Sequence, residues 1–165
     1  IFRPIDGSPP TADILKIMPV SIGFQKNYKV VANIPYYLTG KLLRKFLTTD
    51  FQPITMTLLI QKEVAERLVA KAGEMSLVGI NAQLYSTPKI VDIVPAASFY
   101  PAPRVESALI HLGNVHHFPF VDVDEKVFWQ TIKHGFSSPR KQLHNNLDAG
   151  LHRPSSEITS VLIKT

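Results

Sequence analysis

The residues best suited to chemistry in this chain are Asn33-Ile34-Pro35-Tyr36. They follow the apolar run Val30-Val31-Ala32, where a buried strand would end. An Asn–apolar–Pro–aromatic tetrapeptide at a strand end can present a flipped-out adenine for methylation at its exocyclic amine. The N6 lone pair is delocalised into the purine ring, so that nitrogen is a poor nucleophile. Two acceptors aimed at the amino hydrogens, the Asn33 side-chain oxygen and the Pro35 carbonyl, would favour a pyramidal nitrogen and free the lone pair. Proline holds φ near about −65°, which keeps that carbonyl in place. Tyr36 offers a flat face on which the extruded base can stack. The same four residues also suit a strand followed by a proline-punctuated turn, with Tyr36 and Tyr37 as core aromatics.

Two further segments add to the tetrapeptide. The first is Phe99-Tyr100-Pro101-Ala102-Pro103-Arg104-Val105-Glu106-Ser107-Ala108, and the second is Phe136-Ser137-Ser138-Pro139-Arg140-Lys141-Gln142-Leu143-His144-Asn145-Asn146-Leu147. Taken in this order, the three resemble the ribosomal RNA adenine N6-dimethyltransferases of the KsgA type. They also share much with the related erythromycin-resistance 23S methyltransferases. Gln61-Lys62-Glu63-Val64-Ala65-Glu66-Arg67-Leu68 resembles that family's helix after the next strand. The resemblance runs from about Ala12 to Leu147.

The resemblance implies a Rossmann-like fold and S-adenosylmethionine (SAM) as methyl donor, with in-line displacement at its sulfonium. It implies that Asp13, in Ala12-Asp13-Ile14-Leu15-Lys16-Ile17, accepts a hydrogen bond from the adenine amino group of SAM. It places Asn33 at both cofactor and substrate, and Pro35 at the amine. Tyr36 and Phe99 would sandwich the target base, at ~1–3 kcal/mol per stack. Arg104 is either a phosphate contact or a solvated charge. Lys133, Arg140 and Lys141, with Asn145 and Asn146, read as an RNA-facing helical surface, helped by His134 and His144. The partner implied is ribosomal RNA in a small-subunit precursor, recognised by folded shape and unpaired bases. Three alternatives stay open: a non-catalytic RNA-binding assembly factor on the same fold, a 23S resistance-type enzyme, and a DNA adenine methyltransferase.

Bulk properties agree with an RNA partner. The 165 residues are 45% hydrophobic and 19% charged, an ordinary globular balance. A net charge of +5 favours a polyanion. Residues 126–147 carry Lys126, Lys133, Arg140 and Lys141 and no acid. The absence of cysteine excludes disulfides and thiolate zinc sites. His116-His117 has no third ligand at a useful spacing, so no metal is expected. Glu63 and Glu66 fall on an outer helix face. No apolar run approaches the ~18 residues of a membrane span. A cytoplasmic monomer is expected.

The organisation that must position these residues is α/β. Strands are expected at Lys29 to Ala32, Ile54 to Ile60, Ile90 to Val94 and Val105 to Leu112, the last two as an antiparallel pair. Helices are expected from Thr39 to Leu47, from Lys62 to Ala72 (with Val69 and Ala72 facing in) and around Leu77 to Tyr85, although Gly79 weakens the last. This is the second half of a Rossmann-like methyltransferase sheet, with the start of a small α-helical domain after it. Residues 1–115 form the first domain and 120–165 the second. In the second, Val127, Phe128, Ile132 and Phe136 keep helical spacing. Ser155 is the expected N-cap of a last helix striped by Ile158, Val161 and Leu162. None of the eight glycines makes the Gly-x-Gly loop that such enzymes use to admit SAM. The chain therefore reads as incomplete at both ends and is expected to bind SAM weakly alone.

Overall fold

The structure is a computed structural model, and it describes residues 14–16, 27–138 and 140–164. The chain divides into two units, residues 1–119 and 120–165.

The first unit is built on four strands: β1 (Lys29–Asn33), β2 (Thr55–Gln61), β3 (Thr87–Val94) and β4 (Ser107–Gly113). Their order across the sheet is β1-β2-β4-β3. β1 and β2 run parallel, while β4 is antiparallel to both of its neighbours. The antiparallel pairing of the last two strands is as expected. Its consequence is that the later strand of the pair takes the inner place. Composition explains this: β3 carries Pro88, Lys89 and Asp92, which suit an edge, whereas Ser107-Ala108-Leu109-Ile110 suits the centre.

Period-2 alternation divides the sheet cleanly. Met56, Leu58 and Ile60 of β2 and Ala108, Ile110 and Leu112 of β4 all point to one face and are fully buried. Three helices, α1 (Thr39–Leu47), α2 (Lys62–Leu68) and α3 (Leu77–Tyr85), bring Leu42, Leu43, Phe46, Leu47, Ala65, Leu68, Ala82 and Tyr85 to the core. On the opposite face Thr57 Oγ1 lies 3.0 Å from His111 Nδ1.

Two expectations need correction. β1 is not the buried strand that its apolar run suggests: Val31 is 77% exposed. Among the described residues β1 pairs only with β2, so one side and one face lack neighbours. The helix from Lys62 ends at Leu68 instead of Ala72. Val69 donates to both the Ala65 and Glu66 carbonyls, and Gln83 Nε2 donates to Leu68 O at 2.9 Å and Ala70 O at 2.8 Å. The Gln83 bond to Leu68 satisfies the helix's last carbonyl, and Ala72 is exposed. The helix expected around Leu77 to Tyr85 is present as α3, and Gly79 permits its packing. A Cβ there would run into the Arg67 backbone carbonyl at the end of α2.

The second unit contains α4 (Glu125–Gly135), α5 (Leu143–Leu151) and α6 (Ser155–Ile163). Asp124 caps α4 through its carboxylate, which accepts from the Val127 amide at 2.8 Å. Ser155 is the first residue of α6, not its cap; Pro154 holds that position without a side-chain bond. Ile158 is buried, but Val161 and Leu162 stay exposed. Gly150 on α5 abuts the His134 ring of α4, so close that a Cβ there would displace it.

Candidate active site

Asn33 is the last residue of β1, paired with Leu59 of β2. It stands at the carboxyl end of a parallel strand, where open α/β sheets place their ligands. Its side chain is exposed and has no hydrogen-bond partner among the described residues. Ile34 points the other way and is buried, which anchors the tetrapeptide in the core. Pro35 has φ −55° and ψ 133° and turns the chain into a single 3-10 turn, Tyr36–Leu38, that leads directly into α1. Strand alternation and the proline therefore point Asn33 and Pro35 outward together. Tyr37 is 80% exposed, which removes it from the core reading.

The Pro35 carbonyl accepts the Leu38 amide at 2.9 Å. A carbonyl oxygen has two lone pairs, so one remains for an incoming amino hydrogen. The ring constraint and this bond together fix the direction of that oxygen. α1 then presents Lys41 and Arg44 on its exposed side, a basic face that the sequence reading passed over.

The other half of the site comes from the connection between β3 and β4. A 3-10 turn, Ala96–Ser98, ends at Phe99, whose amide donates to the Ala96 carbonyl at 3.2 Å. Pro101, after a cis peptide bond, and Pro103 follow. The far end of this loop is fastened to the start of α2. Lys62 N donates to the Glu106 carbonyl at 3.0 Å, and Lys62 Nζ meets Glu106 Oε2 at 2.8 Å. The hydrogen bond and charge of that carboxylate raise the Lys62 ammonium above the usual lysine range.

The two halves meet in an open cleft of about 400 Å³, lined by Asn33, Ile34, Pro35, Tyr36, Phe99, Tyr100, Pro101 and Pro103. Tyr36 and Phe99 are both half-buried. The cleft thus holds one free amide, one fixed carbonyl and aromatic rings from two distant segments. That set can receive a flat heterocycle bearing an amino group. A residue quoted in the Phe99 motif but given no role also belongs here. Ser107 Oγ lies 3.0 Å from the Tyr36 hydroxyl.

The remaining expected residues lie elsewhere. Arg104 is exposed in the same loop and forms no ion pair among the described residues. Asp13 lies outside the described residues, as does Pro139. Next to Asp13, the Leu15 carbonyl accepts from Lys45 Nζ of α1 at 2.7 Å. Lys133, Arg140 and Lys141 are exposed on the second unit. The expected RNA-facing helix is corrected in two respects. Arg140 and Lys141 sit in the connection before α5, not on a helix. Asn146 is only 4% exposed and turns inward. Its Nδ2 donates to Gly135 O at 2.9 Å and Ser138 O at 3.0 Å, supplying donors that carbonyls at and beyond the end of α4 need. His134 is half-buried against Gly150.

Comparisons with known proteins point to one family. The family model described as ribosomal RNA adenine dimethylase matches residues 10–164. A ribosomal RNA small subunit methyltransferase A of Dehalococcoides mccartyi is 40% identical over 152 residues, covering 92% of this chain and 52% of that protein. One from Geobacillus kaustophilus is 37% identical over 142 residues, covering 85% of this chain and 48% of that protein. The chain therefore spans about half the length of the curated relatives it matches. A dimethyladenosine transferase from Plasmodium falciparum superposes with a TM-score of 0.65 at 29% identity, covering 83% of this chain and 48% of that one. The 23S rRNA methyltransferase ErmE, at TM-score 0.64 and 20% identity, covering 82% of this chain and 54% of that one, shares the fold. With nearly its whole length matched, this chain belongs to the ribosomal RNA adenine dimethylase family.

Proposed function

We propose that this protein dimethylates adenine N6 in ribosomal RNA of the small subunit, with SAM as methyl donor, during ribosome assembly. The observation that carries this reading is the convergence of Asn33, Pro35, Tyr36 and Phe99 on one cleft at the end of β1. SAM supplies an electrophilic methyl group when bound. The residues present fit its use, because the exposed Asn33 amide has an unpartnered oxygen beside the cleft. Asp13 and Asn33 are the residues that would hold it.

The chain's own contribution is positional and electrostatic. The Asn33 oxygen and the free lone pair of the Pro35 carbonyl accept the two amino hydrogens. They favour a pyramidal amino group, which localises the lone pair on the nitrogen. Tyr36 and Phe99 hold the base by its faces. Ile34, in the core, keeps the acceptors from moving. No strong base is needed, since the methylated amine is cationic and loses its proton readily to water.

Arg104, Lys133, Arg140 and Lys141 are proposed to meet RNA phosphate, with Lys41 and Arg44 on the exposed side of α1. The small-subunit reading is supported by relatives at about 40% identity carrying that name. Among the described residues no helix is long and apolar enough to cross a membrane, and a cytoplasmic monomer is proposed. The division of labour is proposed likewise, with residues 1–115 as part of the methyltransferase domain and 120–165 as part of an RNA-binding domain.

The test is Asn33→Ala in the intact enzyme with small-subunit RNA. Losing one preorganised contact should lower the methylation rate at saturating substrate by ~10²-fold or more. A rate within threefold or so of the parent removes Asn33 from the catalytic set.

A further inference from the structure

We propose that Ser107 is a positioning residue for base capture, acting through the Tyr36 hydroxyl. The inference rests on the reading of the cleft as the adenine site. Stacking needs only a flat ring, which phenylalanine would provide as well. The chain nevertheless has tyrosine at 36, and its hydroxyl meets Ser107 Oγ at 3.0 Å across 71 residues of sequence. Ser107 is 1% exposed and is the first residue of β4. It pairs with Gln61 of β2 on one side and Val94 of β3 on the other, so its backbone is held by the sheet. Its neighbour Glu106 is fastened to Lys62 by both backbone and side chain.

Ser107 therefore offers a fixed point at the rigid end of the loop that carries Phe99. Tyr36 sits in a single 3-10 turn, the less regular half of the site. Without the hydroxyl bond its ring could rotate about χ1 and χ2. With it, the ring plane is set relative to the loop that brings the opposing ring. One hydrogen bond joins the two halves of the cleft. The role proposed for this hydroxyl is to orient the ring, not to touch the base.

The experiment compares the intact parent enzyme with Ser107→Ala, Tyr36→Phe, the double variant and Ser107→Thr. Three quantities are measured. They are the single-turnover methylation rate with SAM, RNA affinity, and fluorescence of an RNA with 2-aminopurine at the target adenine. Ser107→Ala and Tyr36→Phe should each slow methylation by about tenfold, within the ~10²-fold that a 1 Å misplacement can cost. The double variant should be no slower than either single one, because both remove the same bond. RNA affinity should stay within about twofold, since phosphates carry it, while the 2-aminopurine signal falls. Ser107→Thr keeps the hydroxyl and should restore the rate. Single variants at the parental rate, or additive losses in the double variant, would overturn the positioning role. A Tyr36→Phe enzyme far slower than Ser107→Ala would also overturn it, because the hydroxyl would then act on the substrate directly. A parent that methylates no adenine would overturn the reading of the cleft itself, and the proposal with it.

Discussion

At the scale of single residues, the cleft separates two kinds of contribution. Asn33 and the Pro35 carbonyl are acceptors held by strand alternation and by a ring-locked φ. Tyr36 and Phe99 supply faces. These roles predict different losses. Phe99→Ala and Tyr36→Ala should each weaken productive capture of the adenine more than total RNA affinity, because the flipped base is one contact among many. A 2-aminopurine reporter at the target position measures capture, and a filter or anisotropy titration measures affinity. Equal losses in both would assign the ring to general RNA contact. Tyr28 carries a separate prediction. Burial raises its phenol from 10.0 to about 12, and its hydroxyl donates to the Phe51 carbonyl at 2.6 Å. The folded state therefore holds this proton more tightly than the unfolded state. The associated stability is fully present below pH 10 and is lost as pH rises through about 12. Denaturant midpoints of Tyr28→Phe should fall less steeply across that window than those of the parent.

At the scale of elements, close approach decides where helices pack. Gly79 opens the case. An ordinary helix-interior Gly→Ala change favours the helix by up to ~1 kcal/mol. At 79 the added methyl meets the Arg67 carbonyl, which is backbone and cannot swing away. Overpacking costs typically ~1–3 kcal/mol and should win. Gly79→Ala should therefore lower the thermal midpoint of the first unit, where helix propensity alone would raise it. The end of α2 is a related case. Its amphipathic pattern continues past Leu68, yet Gln83 reaches across from α3 and takes the carbonyls of Leu68 and Ala70. Helical periodicity in a sequence shows which face is apolar. It does not show which neighbouring side chain will meet the last carbonyls. Asn146 is the parallel case in the second unit, an amide of the expected RNA surface that instead serves two main-chain carbonyls.

At the scale of the whole molecule, two units carry different parts of the proposed task. The +5 net charge divides as +4 over residues 1–119 and +1 over residues 120–165, but in the second unit residues 126–147 hold four bases and no acid. Within the second unit Lys133, Arg140 and Lys141 are exposed, and none forms an ion pair among the described residues. Arg140→Ala with Lys141→Ala should leave folding intact. It should weaken RNA binding and flatten the log–log salt dependence by roughly 1–2 units, at about 0.7–0.9 per lost phosphate contact. An unchanged slope would mean that these charges are a solvated face.

Much of this molecule could be read from its residues because the signals are local. The Asn33 tetrapeptide and the Phe99 loop are legible through their resemblance to the family's motifs, while helix α1 with its buried face and the antiparallel β3–β4 pair follow from period and turn chemistry within a short window. Those constraints act between neighbours in sequence, so sequence alone determines them. Tertiary structure decided what depends on partners far along the chain. β4, not β3, takes the place beside β2, a pairing between segments far apart in the chain. Val31 is exposed because a strand's burial depends on its neighbours, not on its own apolar run. Asn146 turns inward to donate to the Gly135 and Ser138 carbonyls, which only the packing of α5 on α4 brings within reach. The bond from Tyr36 to Ser107 spans 71 residues. No pattern of spacing announces such a bond, since it exists only once the sheet has brought the two segments together.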